Sequence, residues 1–170
     1  MWEHQALTRA RYSAGDREIG ASFEKIRIEI LGQRRDLAEL RREVLGMRRK
    51  MLANHAGRSS WFDLKHDRGG LIDVEFIVQF LVLGYAHAHP SLTGNLGNIA
   101  LLRIAGELGL IPIALAETVR NAYRDYRRMQ HELRLNNQPA GVEPGSVAER
   151  VAAVRELWGF VFECEGGILG

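Results

Sequence analysis

A chain of 170 residues, 46% hydrophobic and 26% charged, can bury one full core and has a length usual for one domain. Its formal net charge of +2 is too small to point to a polyanion partner such as nucleic acid, and its lone cysteine, Cys164, excludes an internal disulfide. The first residues are polar where a secretory leader would be apolar, and the most apolar run, residues 71–83, falls short of the roughly 20 residues that a bilayer span requires. The expectation is one cytoplasmic domain over residues 1–170, with no membrane contact and a flexible tail at 165–170.

Hydrophobic spacing is helical almost throughout, which predicts an all-α helical bundle of about six to seven helices. Behind Asp16, an N-cap residue type, Ile19, Phe23, Ile26 and Ile30 step by four, three and four. Leu37, Leu40, Val44, Met47 and Met51 repeat the rhythm behind Asp36, and Val147, Val151, Val154, Trp158 and Val161 do so behind Ser146. Three such stripes predict packed helices with coiled-coil-like seams. Between them lie a central helix near 70–88, a short one near 97–108 with Asn95 and Asn98 as its caps, and a long one near 112–136 started by Pro112. The long helix gathers Leu115, Val119, Ala122, Tyr123, Tyr126, Met129 and Leu133 on one face. Residues 57–60, 90–94, 109–111 and 136–145 carry the Gly, Pro, Asn and Ser of connections, and residues 61–65 extend briefly.

The central helix sets chemistry against core. From Leu71 to Leu83 only Asp73, Glu75 and Gln79 are polar, so the helix is apolar nearly all round and belongs inside the bundle, with Phe76, Phe80 and Leu83 as core positions. Asp73 and Glu75 fall in its first turn, where unpaired amides and the helix dipole favour negative charge, and Lys65, His66, Asp67 and Arg68 stand just upstream of Gly69-Gly70. Two readings stay open. Either the basic residues neutralise their own carboxylates, or Gly69, Gly70 and the flanking bases cradle an anion such as phosphate.

Arg34, Arg35, Arg41, Arg42, Arg48, Arg49 and Lys50 crowd one segment. They form either a solvated face or a surface for an acidic partner. His87 and His89 are two apart and lack a cysteine or carboxylate at ligand spacing, so no protein-held metal is expected.

The segment Asp63-Leu64-Lys65, Gly69-Gly70-Leu71, Asp73-Val74-Glu75-Phe76-Ile77-Val78-Gln79 resembles the bifunctional glutamine synthetase adenylyltransferase/adenylyl-removing enzyme family. The run 92–102, Glu107 to Pro112, and the opening Trp2 to Arg11 fit the same pattern, and the wording is nearer to the helical domain of the adenylyl-transferring half. The resemblance implies AMP transfer from ATP, with Mg2+, to a tyrosine of glutamine synthetase under control of glutamine and a PII signalling protein. It also implies a nucleotidyltransferase domain of the same chain. That domain's paired aspartates, in a Gly-Ser-x-x-x-Asp-x-Asp pattern, do not occur in these 170 residues. The chain is therefore expected to start just after the catalytic domain, to hold no catalytic residue, Mg2+ or ATP by itself, and to be inactive alone. Its expected contribution is a cleft wall, with Lys65, His66, Arg68, Gly69 and Gly70 facing the nucleotide and Asp67, Asp73 and Glu75 in support. The alternative is a non-catalytic docking module for the PII protein or glutamine synthetase.

Overall fold

A computed structural model describes residues 2–55, 60–94, 96–139 and 141–163. These form seven α-helices, two short 3-10 turns and one two-stranded ribbon, as an all-α arrangement predicts. The helices are α1 (Trp2–Leu7), α2 (Arg17–Leu31), α3 (Leu37–His55), α4 (Leu71–Tyr85), α5 (Asn98–Glu107), α6 (Ile113–Leu135) and α7 (Ala148–Phe162). Strands β1 (Phe62–Asp63) and β2 (Gly141–Val142) pair antiparallel, Phe62 opposite Val142 and Asp63 opposite Gly141. The brief extension before the Gly-Gly turn thus finds its partner in the loop that follows α6.

α4 is the hub. Thirteen of its 15 residues are buried, including Phe76, Phe80 and Leu83, and α1, α3, α5, α6 and α7 all pack on it. Gly84 lets α3 close in, since a Cβ there would lie 2.8 Å from Leu37 Cδ2. α3 follows its predicted stripe: Asp36 Oδ1 accepts from Glu39 N at 2.8 Å, and Leu40, Val44 and Met47 are buried. The stripe of α6 also holds, with Val119, Ala122, Tyr123 and Tyr126 in the core.

Both α5 and α6 end in reciprocal backbone bonds around a left-handed residue. Gly109 (φ 72°) and Asn137 (φ 51°) occupy those positions, with Leu110 N donating to Ala105 O and Gln138 N to Leu133 O.

Three expectations need correction. Asp16 does cap α2, accepting from Glu18 N and Ile19 N, but Ile19 and Ile26 are 70% and 55% exposed and make no seam. Gly20, Arg27 and Leu31, one position round the helix, are buried instead. Tyr12 lies on Gly20, and the Arg27 guanidinium is drawn inside by Leu7 O, Thr93 O and the Glu24 carboxylate. A polar anchor rather than an apolar ridge therefore sets the rotation of α2. Asn98 lies inside α5 and caps nothing: Gly97 precedes the helix, and the Asn98 side chain turns inward to Tyr123. Asn95 lies outside the described residues. Ser146 belongs to the 3-10 turn Pro144–Val147, where its hydroxyl donates to Glu143 O, and α7 begins at Ala148. Val147, Val151, Val154 and Val161 are nevertheless buried as expected. The tail expected to be flexible at 165–170 also lies outside the described residues.

Candidate functional site

The turn before α4 closes on itself. Asp63 Oδ1 accepts from Lys65 N (2.8 Å) and His66 N (3.0 Å), and Asp67 Oδ2 accepts from Asp63 N (2.8 Å). Burial alone would raise the Asp63 carboxyl, but hydrogen bonds from His66 and Lys65 carry it below the usual carboxylate range. The amides that open α4 are likewise engaged: Gly69 N donates to Asp73 Oδ2 (2.6 Å), Gly70 N to Asp67 O, Leu71 N to Leu64 O and Ile72 N to Lys65 O. Gly69 (φ 88°) lies against α7, where a Cβ would meet Val151 Cγ1 at 2.8 Å. The two glycines thus serve a tight turn and a close helix contact, and their amides hold no free donor for an anion.

Asp73, 4% exposed, is neutralised by Arg48 of α3, Nε to Oδ1 at 2.5 Å. Arg48 also donates from Nη2 to His66 O and Asp67 O. The partner expected among Lys65, His66 and Arg68 comes instead from the arginine-rich segment, 25 residues upstream. The rest of that segment divides: Arg35 caps carbonyls of Ile30, Leu31 and Leu83, while Arg34, Arg42, Arg49 and Lys50 are exposed.

The nominated residues consequently reach different surfaces. Lys65 is exposed and lines none of the cavities that follow. Arg68 lines a 490 Å³ cavity between α3 and α7. His66 and Asp67 line a neighbouring one of 360 Å³, and Arg68 and Arg155 stand on the wall between the two. His66 stacks on His55, centroids 3.6 Å apart, and bonds Asp63 Oδ2 through Nδ1 at 3.1 Å. One ligand atom from each of His55, Asp63 and His66 lies within 4.8 Å of the others, a grouping that the sequence spacing did not disclose.

Glu75 enters a separate polar cleft. Arg9 Nη2 pairs with Glu75 Oε1 at 3.1 Å, Tyr123 OH donates to the same oxygen at 3.3 Å, and Asn98 Nδ2 donates to Tyr123 OH at 2.9 Å. Burial, reinforced by the Glu75 charge, pushes the Tyr123 phenol up, so it stays a neutral donor. Arg11 and Arg127 complete the rim of this 480 Å³ cavity, and neither has a carboxylate partner among the described residues. The first turn of α5, whose leading amides lack a helical acceptor, lines it as well. Two free guanidiniums, helix-start amides and a rigid polar floor suit an oxyanion. Arg9, Arg11, Asn98, Tyr123 and Arg127 were not singled out for this site in the sequence. They come from three helical neighbourhoods, those of α1, α5 and α6, and only the resemblance of the opening Trp2–Arg11 hinted at the first two.

Residues 38–141 match the family model described as GlnD PII-uridylyltransferase. The chain is 62% identical over 162 residues to the bifunctional glutamine synthetase adenylyltransferase/adenylyl-removing enzyme of Aromatoleum aromaticum, covering 95% of the chain and 17% of that protein. The enzymes of the same name from Bordetella bronchiseptica and Nitrosomonas europaea are 59% and 60% identical, over 95% and 87% of the chain and 17% and 16% of their own lengths. The chain thus spans about a sixth of the curated relatives that it matches. On the family match and on these identities, the chain belongs to the GlnD PII-uridylyltransferase family and is similar over most of its length to bifunctional glutamine synthetase adenylyltransferases.

Proposed function

We propose that this chain is the helical part of an enzyme that transfers AMP from ATP to a tyrosine of glutamine synthetase, and that the Arg9–Arg11–Arg127 cleft forms one wall of its nucleotide site. The observation that carries this reading is the pairing of two uncompensated guanidiniums, Arg11 and Arg127, with a floor fixed by the Glu75–Tyr123–Asn98 chain. Arginines at a fixed rim would hold phosphate oxygens and stabilise charge developing during phosphoryl transfer. Mg2+ and ATP would be held with the paired aspartates of a nucleotidyltransferase domain in the same longer protein; the cleft of this chain supplies cations and no metal-binding carboxylate cluster. The chain alone would be inactive.

The test is AMP transfer to glutamine synthetase by the full-length protein carrying this sequence. Arg11→Ala and Arg127→Ala should each lower the rate about ten- to hundredfold, the effect of losing a charged contact that tightens in the transition state. Rates within twofold of the parent for both would remove the cleft from the nucleotide site.

A second reading, docking of the PII protein or glutamine synthetase, draws on the exposed apolar stripe of α2. Ile19 and Ile26 share one helix face with Phe23 and remain open to solvent, a surface suited to cover by another protein segment. Loss of complex formation in Ile19→Ser/Ile26→Ser, with catalysis on saturating glutamine synthetase unchanged, would favour it.

A further inference from the structure

On the side of α4 opposite Glu75, α3, the turn and α7 enclose the 490 Å³ cavity that takes Arg68. Arg49 approaches from α3 and Arg155 from α7. These three guanidiniums are exposed and have no carboxylate partner among the described residues; their hydrogen bonds run to main-chain oxygens, Arg49 Nε to Leu45 O and Arg155 Nε to Arg68 O. The floor is built rather than incidental. Arg48 and Asp73, 3% and 4% exposed, line it as a closed ion pair, so Asp73 is already spent and does not offset the outer arginines. Among the described residues Glu163 is the one further carboxylate on the wall, and Trp158 adds a half-buried aromatic surface.

We propose that this cavity is a second ligand site, for a small multiply charged oxyanion carrying either phosphate or paired carboxylates. Three guanidiniums from separate elements around a desolvated floor match the oxygen pairs of carboxylates and phosphates, which guanidinium binds bidentately. Because the arginines belong to α3, to the turn and to α7, the bound anion would tie three elements together next to the start of α4. This site is distinct from the proposed nucleotide cleft, and it rests on no catalytic step.

Trp158 reports on it. The 170-residue chain would be titrated at low ionic strength with inorganic pyrophosphate and, separately, with malonate, while tryptophan fluorescence is followed. The result expected is a saturable change with at least one probe, the tighter probe naming the anion class. The change should be absent in Trp158→Phe, and binding should weaken at least tenfold in Arg68→Ala and Arg155→Ala, with partial recovery in Arg68→Lys. Arg11→Ala, in the other cleft, and Arg103→Ala, whose guanidinium is paired with Glu107 within α5 and does not line the cavity, should leave it unchanged. No saturable change with either probe overturns the proposal, as does a change that survives Arg68→Ala and Arg155→Ala or that weakens equally in Arg103→Ala. Since Arg11→Ala is a control here and a test of the nucleotide cleft, failure of one reading leaves the other standing.

Discussion

At the scale of single residues, the buried Arg48–Asp73 pair carries the largest consequence. Both groups are almost wholly out of water, so removing one partner strands a charge. Arg48→Ala should destabilise the chain by about 3–5 kcal/mol in denaturant titration, although the change is from one polar residue among seven in its segment. A cost below about 1 kcal/mol would mean that water reaches Asp73. The neighbouring Asp63 gives a pH signature of known sign. Its folded-state carboxyl lies below the usual range, so the stabilisation is present above the unfolded value of about 3.9 and is lost as pH falls through the lower folded value. Asp63→Asn should therefore destabilise the chain at neutral pH, and parent and variant should converge in urea midpoints as the medium is acidified through that window. Midpoints that stay equally separated at acid pH would assign the effect to shape rather than charge.

Among the elements, legibility followed the kind of interaction that sets the packing. α3 and α6 are oriented by apolar burial, so a period of 3.6 residues located their faces; α4, apolar nearly all round, is buried on almost every side, and its Phe80 sits at 0% exposure against Phe162, ring centroids 5.1 Å apart. Phe80→Ala should cost about 3–5 kcal/mol. α2 has an equally clear apolar stripe and does not use it, because Arg27 finds carbonyls of α1 and of the 3-10 turn Pro90–Thr93. Ile26→Ser should accordingly change stability by no more than about 0.5 kcal/mol, whereas a packed seam would lose several times that. Helix ends show the same division. Asp16 and Asp36 are readable as caps since an aspartate bonds amides two and three residues ahead; Asn98 departs from the expected cap because its partner, Tyr123, is 25 residues away.

For the whole molecule, the family resemblance carried in the Asp63–Leu83 run and in the opening residues was legible, and so was the bundle. The site was legible only in part. In Lys65 to Gly70 charge, glycine and a helix start adjoin in sequence, yet the amides and carboxylates there bond one another, Arg68 lines a separate cavity, and Arg11 and Arg127 gather beside Glu75. Arg9, Glu75, Asn98 and Arg127 become neighbours only after α1, α4, α5 and α6 have packed, and spacing along the chain holds no record of that. The central claim is that this cleft, rather than the turn, faces the nucleotide. It is tested most directly by the rate of AMP transfer from ATP to glutamine synthetase in the full-length protein, comparing Arg11→Ala/Arg127→Ala with Lys65→Ala at unchanged folded content. The expected result is a loss of at least about a hundredfold in the double variant, from two charged contacts, and a rate within about twofold of the parent for Lys65→Ala. A double variant with parental kinetics, or a Lys65→Ala enzyme that loses the activity instead, would contradict it.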